Sequence, residues 1–457
     1  MQDNFGTEFS ATDAATIEQW NSAMEQYLDF SGRPIATLQD VDDERFLAGP
    51  VFCATMKLLD GASPEDASVK TDLGRVRRAK AFAPKDEQAH AQAVEYMASG
   101  EFARAAASWD ALLEVRPNDV LALKCSHEAW FLIGNAASMR KSSTAAIGRL
   151  TADDPVYSIA AGQHGFSLEE TGDYVHAESW ARLAMEITPR DCWALHCLAH
   201  VYESQNRHSE ALALLNEQKS IWTEQNLFSG HIWWHLALRH VEAHDFSEAL
   251  AVFDETLCDV PACSRFRLTD GTSLLWRLEL EGIDVGDRWL SMAEKWAEHV
   301  DVHTNGFLNL HAAMAFARCP NSRAASLFFD KLAEGYPHEE GENANTIRNV
   351  ARPLALAMRQ FLLSPQKAAE HIATLLPELH RIGGSVAQRE VIERSYIKAL
   401  IERGKLIDAA EWLDPKIAAN PNRPWMLRER ARVAEAGGDS ATAQRMEQRA
   451  NLMFTTA

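Results

Sequence analysis

The stretch 191–244 combines histidine, glutamate and tryptophan at spacings that favour a binding or catalytic site. His196, His200 and Glu203 are spaced i, i+4 and i+7, so a helix places all three side chains on one face. Trp193 precedes them on the same stripe. Imidazoles and a carboxylate in this arrangement can bind one divalent metal ion or act as general acids and bases.

A second segment, 231–238, reads HIWWHLAL and repeats the i, i+4 spacing with His231 and His235. A helical repeat would place it beside the first segment. The candidate catalytic residues are therefore His196, His200, Glu203, His231 and His235.

The candidate metal ligands are His196, His200 and Glu203. Nitrogen and oxygen ligands of this kind suit Zn²⁺, Fe²⁺, Mn²⁺ or Ni²⁺. The HxxxH pattern lacks a glutamate directly after its first histidine, so the zincin type of protease is not indicated.

Two other interpretations stay open at the level of sequence. The cluster could bind or transform a ligand without a metal, or the imidazoles could hydrogen-bond one another and Glu203 as a satisfied polar layer. The substitution His200→Ala separates them. A groove site predicts loss of binding at little cost in stability, whereas a polar layer predicts a loss of about 1–3 kcal/mol.

Composition and charge narrow the class of partner. The chain of 457 residues has 65 acidic and 45 basic side chains and a formal charge of −20. Nucleic acids and anionic membranes require a cationic surface, so we expect neither as a partner. No apolar run long enough for a membrane span and no export signal are visible. Seven scattered cysteines indicate free thiols in a cytoplasmic protein.

The elements that must position these residues recur along the chain. Segments 99–119 and 171–191 share a Gly-x-aromatic turn, small residues and a closing proline, and Ala177 lies 34 residues before Ala211 in the next segment. This interval and punctuation are typical of tetratricopeptide repeats, which are pairs of antiparallel helices. We predict an all-α fold, a tetratricopeptide-repeat-like α-solenoid that forms a right-handed superhelix.

The repeats divide the chain into three predicted regions. Residues 1–85 form a helical N-terminal cap, and residues 86–265 hold the clearest repeats with the histidine- and tryptophan-rich groove. Residues 266–457 hold degenerate helical repeats and a C-terminal cap. The two caps could close the superhelix around the groove.

Several words of the sequence, separated and in order, resemble the tetratricopeptide repeat protein 38 family. They are LALKCSHEAWFLIG (121–134), WALHCLAHVYE (193–203), HIWWHLAL (231–238), LEGIDVGDRW (280–289) and GGSVAQR (383–389). The similarity covers nearly the whole chain. It departs from the family pattern at Tyr202, where the family has a histidine, and at Asn309, where it has an aspartate. The resemblance implies the fold and no particular reaction.

Similarity to tetratricopeptide modules also implies which side chains face the concave groove, namely positions 2, 5, 9 and 12 of each first helix. Counted back from Ala211 as position 20, these positions are Trp193, His196, His200 and Glu203. The same reasoning and nearby helical stripes give the candidate ligand-binding residues Lys124, His127, Trp193, Trp234, Asp270, His303, Phe307 and His311.

Two functions are compatible with the sequence. The density of histidine and tryptophan favours a small-molecule-binding or enzymatic solenoid, with metal-assisted hydrolysis or oxidation of a small, partly aromatic molecule. The alternative is a scaffold that binds a peptide in its groove. The sequence leaves the substrate, the metal and the oligomeric state open.

Overall fold

The computed structural model describes residues 1–223, 228–258, 265–301, 304–335 and 340–455. Regular secondary structure within these ranges is helical, and their one β pairing is an isolated antiparallel bridge between Gln2 and Glu8. Consecutive helices pack against each other along the chain. The protein is an all-α, tetratricopeptide-repeat-like solenoid, which confirms the predicted fold class.

The helices of the first half precede residue 224. They are α1 (Ala14–Leu28), α2 (Pro34–Gln39), α3 (Ala48–Leu59), α4 (Ala67–Ala79), α5 (Gln88–Ala98), α6 (Phe102–Leu113), α7 (Val120–Leu132), α8 (Ala136–Ile147), α9 (Tyr157–Glu170), α10 (Tyr174–Ile187), α11 (Cys192–Ser204), α12 (His208–Glu217) and α13 (Lys219–Trp222).

The helices of the second half include two π-helical turns, Phe253–Leu257 and Ile347–Ala351, and two 3₁₀ segments, Ala297–His299 and Leu376–Ile382. The α-helices are α14 (Ser229–Glu242), α15 (Phe246–Val252), α16 (Arg265–Leu280), α17 (Arg288–Trp296), α18 (Gly306–Arg318), α19 (Arg323–Glu334), α20 (Glu342–Thr346), α21 (Arg352–Phe361), α22 (Pro365–Leu375), α23 (Val386–Glu402), α24 (Leu406–Ala419), α25 (Pro424–Ala436) and α26 (Ser440–Thr455).

Small residues let the two helices of a repeat approach closely. A Cβ atom on Gly165 of α9 would lie 3.1 Å from the carbonyl oxygen of Ala177 and 3.2 Å from the amide nitrogen of Ala181, both in α10. Ala177 and Ala181 are fully buried. Larger side chains at this crossing would separate the helices, which explains the recurrent small residues in the sequence.

Asp191 fixes where the central helix starts. Its side chain accepts a hydrogen bond of 2.9 Å from the backbone amide of Ala194, so it caps α11. Asp119 caps α7 in the same way through Ala122. The caps set the rotation of each helix and therefore the direction in which its stripe of side chains points.

The C-terminal half of the chain packs against the N-terminal half. The backbone amide of Val386, at the start of α23, donates to the carboxylate of Glu170 at the end of α9 over 3.1 Å. The backbone amide of Asn343 donates to the carbonyl of Gly100 over 3.0 Å. Contacts between residues so distant in sequence close the superhelix, so its concave side is an interior rather than an open groove.

Charged side chains of the second half form the Arg394 network, which consists of Arg394, Glu242, Glu281, Glu390 and Arg423. The Arg394 guanidinium donates to Glu390 over 2.9 Å and to Glu242, and lies 3.5 Å from Glu281. Arg423 donates to the second oxygen of Glu390 over 2.9 Å. Every group in this buried network has at least one partner of opposite charge.

Two further expectations concern membrane and redox state. Among the described helices, none combines the length and apolar character that crossing a bilayer requires. Six of the seven cysteines lie in the described ranges, where no disulfide joins any two of them, and four of the six are buried. Cys263 lies outside the described residues.

Candidate metal centre

Helices α11 and α14 bring four histidines together, and we call His196, His200, His231 and His235 the four-histidine cluster. Their ring centroids are separated by 4.4 Å (His196 to His200), 4.5 Å (His200 to His235) and 4.8 Å (His231 to His235). Each ring offers one nitrogen such that all four nitrogens lie within 4.8 Å of one another. The four side chains therefore point into one common space.

A carboxylate lies behind each of three of these rings. The Nδ1 atom of His231 is 2.9 Å from the Asp270 carboxylate, and that of His235 is 3.1 Å from the Glu203 carboxylate. The Nδ1 atom of His200 is 3.5 Å from Glu169. A carboxylate on Nδ1 fixes the orientation of the ring and the tautomer that leaves the Nε2 lone pair free.

The opposite edges of the rings have no partner within the part of the chain that the structure describes. The Nε2 atoms of His200 and His235 and both nitrogens of His196 are buried without a hydrogen bond. Leaving a buried polar atom unsatisfied costs about 1–3 kcal/mol, so native proteins rarely retain several in one place without a reason. Because these nitrogens belong to side chains whose ring atoms converge, the cluster is a candidate site for a polar or cationic ligand.

The electrostatics favour neutral imidazoles at two of the four positions. Burial, reinforced by the neighbouring histidines, holds the pKa of His196 and of His235 well below the usual range. Burial also acts against the charge on His200, but the Glu169 carboxylate and the acidic groups next to it raise its pKa overall. Burial and the adjacent Glu169 raise the pKa of Glu170 to about 7. Neutral imidazoles are the form that binds a metal.

A cavity of ≈ 210 Å³ adjoins the cluster. His196, His200 and His231 line it, while His235 does not. The other lining residues are the aromatic side chains of Phe131, Phe166, Trp193, Phe228 and Phe266 and the polar side chains of Arg267, Asp270, Ser385 and Gln388. We call it the inner cavity.

An outer cavity of ≈ 320 Å³ lies on the other side of an aromatic wall. The wall contains Trp193, which lines both cavities, and Phe30, whose ring stacks on Trp193 at 6.5 Å and on Phe228 at 4.7 Å. Phe30 belongs to the N-terminal cap. Lys124 lines the outer cavity, 3.4 Å from Glu128 and over the Trp193 ring at 5.0 Å. The structure therefore separates Lys124 from the four-histidine cluster.

Glu203 does not belong to the group of converging ligand atoms. Its carboxylate accepts from Nδ1 of His235 and from the Arg239 guanidinium, both over 3.1 Å. Glu203 contacts His235 and Arg239, which both belong to the neighbouring helix α14. It orients a ring of the cluster instead of joining the cluster.

The side chains predicted to face an open concave groove are buried. Only 3 % of His196 and 1 % of His200 are exposed. The physical reason is the closure of the superhelix. Ser385 and Gln388 at the start of α23 and Phe30 of the N-terminal cap cover the concave side.

Other predicted binding residues lie away from the inner cavity. Trp234 is fully buried behind the cluster, where it stacks on His231 at 5.2 Å. Phe307 and His311 lie on α18 and are buried, and Nδ1 of His311 donates to the Phe307 carbonyl over 2.8 Å. His127 is buried against Trp193, and burial lowers its pKa to about 3. His303 lies outside the described residues.

Sequence reasoning missed Phe166, Glu169 and Arg267. A usable signal existed for the first two, because the register counted back from Ala177 puts Phe166 at position 9 and Glu169 at position 12 of the preceding repeat. Glu169 and Glu203 thus occupy equivalent positions of consecutive repeats, and each supports a histidine. Arg267 follows no repeat pattern, so only the folded chain reveals it.

His90 shows how this chain satisfies a structural histidine. Its Nε2 atom is 3.0 Å from the Asp119 carboxylate, and its Nδ1 atom accepts from Nε1 of Trp109 over 3.2 Å. The side chain is fully buried. Both nitrogens have partners, unlike those of the four-histidine cluster.

The chain was compared with protein families and with solved structures. No family model matches the chain. Human IFIT1, solved as a dimer with PPP-AAAA, is 13% identical with a TM-score of 0.40, and the match covers 100% of this chain and 98% of that one. The Cut9–Hcn1 hetero-tetramer of APC/C is 12% identical with a TM-score of 0.26, covering 97% and 94%.

Proposed function

We propose that the four-histidine cluster binds one divalent transition-metal ion and that the protein uses this ion on a small molecule in the inner cavity. The observation that carries the proposal is the placement of carboxylates beside three rings, at His200, His231 and His235, together with the unpartnered Nε2 atoms of His200 and His235. Metal-ligating histidines almost always donate their second ring nitrogen in this way. His196 would supply the fourth nitrogen.

The donor set selects among metals. Imidazole nitrogens suit Zn²⁺, Fe²⁺, Cu²⁺ and Ni²⁺, whereas Mn²⁺ prefers oxygen ligands. With Glu203 behind His235 rather than among the converging atoms, the proposed first shell holds nitrogen only. Zinc and iron are therefore our leading candidates, and manganese, which the sequence left open, is disfavoured.

The cavity supports a reactive rather than a purely structural ion. Structural metal sites are closed, while catalytic sites keep a position for water or substrate. Three of the four histidines line the inner cavity, so an ion held by them would face its contents. When bound, such an ion can activate water for hydrolysis or take part in oxidation. Glu169, Glu203 and Asp270 hold the rings in orientation.

The alternative of a peptide-binding scaffold has less support. A peptide in the concave groove needs an accessible surface, but the stripe from His196 to Glu203 is buried. The charge of −20 likewise favours a small molecule over a nucleic acid. We further infer a relationship to the tetratricopeptide repeat protein 38 family and a reducing, cytoplasmic location, which the free cysteines support.

Metal analysis of untagged protein tests the proposal. After purification, and after reconstitution with Zn²⁺ or Fe²⁺ under anaerobic conditions, we expect about one ion per chain by mass spectrometry. The variants His200→Gln, His231→Gln and His235→Gln should lose it. The carboxylate variants Glu203→Gln and Asp270→Asn should weaken binding by about 10–100-fold.

The matched control is His90→Gln, because His90 is equally buried but fully hydrogen-bonded. This variant should keep the ion. If wild-type protein takes up no stoichiometric metal under any of these conditions, or if the cluster variants bind as much as wild type, the metal proposal fails.

A further inference from the structure

The inner cavity is mostly aromatic, with a few polar groups at one side. Phe131, Phe166, Phe228 and Phe266 contribute rings to its wall. Its volume of ≈ 210 Å³ lies below the roughly 300–1,000 Å³ of pockets that take drug-sized ligands. A ligand the size of one aryl ring with a short substituent fits this space. The polar side chains of the wall indicate which functional group such a ligand carries.

Arg267 is the cationic side chain of the inner-cavity wall. Within the described ranges, its guanidinium makes no hydrogen bond or ion pair, and its buried Nε atom has no partner. The carboxylate one turn along the same helix, Asp270, is engaged by His231 over 2.9 Å. Arg267 is half-buried, so solvent reaches part of its guanidinium, and an anion in the cavity would give the buried Nε atom the acceptor that it lacks.

Among the described residues, the arginines that lie deeper in the fold have a partner for at least one guanidinium nitrogen, although Nε of Arg239 and of Arg277 has none. Arg239 lies 3.1 Å from Glu203, and Arg394 lies among three glutamates. Arg277 donates to the carbonyl of Ala387 over 2.7 Å. The fold thus supplies acceptors for guanidinium groups where they serve packing, and Arg267 differs from them in facing a cavity.

A glycine makes room for this guanidinium next to the cluster. A Cβ atom on Gly230 would lie 2.8 Å from Nε and 3.2 Å from an Nη atom of Arg267. Gly230 immediately precedes His231 in the first turn of α14. Any larger residue at this position would displace the guanidinium, so the close approach depends on the missing side chain.

We propose that the inner cavity takes a small aromatic carboxylate, with Arg267 binding the carboxylate and the phenylalanine rings holding the aromatic part. Arginine presents a planar fork of donors that matches a carboxylate in two hydrogen bonds. The ligand then lies between Arg267 and the four-histidine cluster, with its remaining atoms facing His196, His200 and His231. Any reaction of this ligand rests on the proposed metal centre, whereas its binding rests on Arg267 and the aromatic wall alone.

Calorimetric titration with matched acid and amide pairs tests the assignment. The probes are phenylacetate and 3-phenylpropanoate against phenylacetamide and 3-phenylpropanamide, which share shape and differ in charge. We expect wild-type protein to bind an acid about 10- to 100-fold more tightly than its amide, as charge-assisted hydrogen bonds imply. Arg267→Gln and Gly230→Ala should each reduce this preference to within about twofold, and Arg267→Lys should retain part of it.

Two controls separate the causes. Arg403→Gln removes an exposed arginine and should leave the preference unchanged. Titrations are run on metal-free protein as well, because a carboxylate could bind an ion directly. The inference is overturned if neither acid binds, if the amides bind equally well, if Arg267→Gln keeps the preference, or if the preference vanishes with the metal. Circular dichroism of each variant verifies that it is folded.

Metal content measured on the same samples distinguishes this inference from the proposed function. A preference for acids that depends on Arg267, in protein that never takes up metal, supports the carboxylate site and refutes the metal centre. One metal ion per chain without any preference for acids refutes the carboxylate site alone.

Discussion

The four-histidine cluster and the Arg394 network are both buried and both built from titratable side chains. They differ in whether those side chains have hydrogen-bond or ion-pair partners. In the network, the Arg394 guanidinium contacts three carboxylates, and Arg423 takes the free oxygen of Glu390. In the cluster, four ring nitrogens have no partner within the described residues. Burial alone therefore does not mark a site. Unpaired polar atoms that point to a common space do.

His90 is a useful third case because it is a buried histidine, like the members of the cluster, but lies outside the cluster. A buried imidazole with partners on both nitrogens serves packing, as at His90. A buried imidazole with one carboxylate and one free edge, as at His235, is prepared for a ligand. Substitutions in the three environments should therefore affect stability very differently.

Arg394→Met should have the largest effect. Removing the guanidinium leaves the Glu242 carboxylate without its charged partner, while Glu281 keeps Arg432 and Glu390 keeps Arg423. Breaking a buried ion pair in this way costs about 3–5 kcal/mol. Urea denaturation of metal-free protein measures the free energy of unfolding. Arg403→Met, at an exposed position, is the control. A loss below about 1 kcal/mol would show that the network contributes little, and metal content should not change.

His90→Leu should come next. The substitution leaves the Asp119 carboxylate and the Trp109 indole without their shared partner, and unsatisfied buried groups cost about 1–3 kcal/mol. The same denaturation experiment applies. Metal content should stay at the wild-type level, and a decrease would mean that His90 affects the centre through the fold.

The sequence allows part of this picture to be predicted, for a clear physical reason. The 34-residue interval and the small residues at helix crossings indicate the solenoid, because both follow from local packing within a repeat. The spacing of His196 and His200 indicates their common face. The closure by α23 has no local signal, since Glu170 and Val386 meet across more than two hundred residues of chain. Burial of the groove and the approach of Arg267 depend on that closure.

The pH dependence of stability should separate the two regions. Folded His196 stays neutral, because burial lowers its pKa, while the unfolded side chain binds a proton below about pH 6.5. The unfolded state then holds more protons, so the free energy of unfolding falls by about 1.4 kcal/mol per pH unit as the solution is acidified below pH 6.5. His196→Leu lacks this contribution, and its stability relative to wild type should rise as pH falls from 6.5 to 5.

The carboxylates of the Arg394 network respond at lower pH. Burial acts against their charge, but nearby arginines hold the pKa of Glu281 and of Glu390 below the usual value. Their contribution is present above about pH 4.5 and is lost as the pH falls further. Glu170 and His200, whose pKa values are raised, act in the opposite direction, and comparing wild type with His196→Leu largely removes their effect. If the difference in unfolding free energy between wild type and His196→Leu stays constant from pH 6.5 to 5, folded His196 does not stay neutral.

His196→Leu at pH 8, without metal, should have the smallest effect on stability. Neither nitrogen of His196 has a partner among the described residues, so the substitution leaves no new group unsatisfied and removes two that already are. Leucine fills a similar volume beside Phe166 and Phe228, which contact the His196 ring. We expect a change within about 1 kcal/mol, in either direction, while metal content falls sharply. His90→Leu, measured alongside, exchanges the same two residue types at an equally buried position. Should His196→Leu destabilise the protein as strongly as His90→Leu and leave metal content unchanged, the cluster would be a structural polar layer.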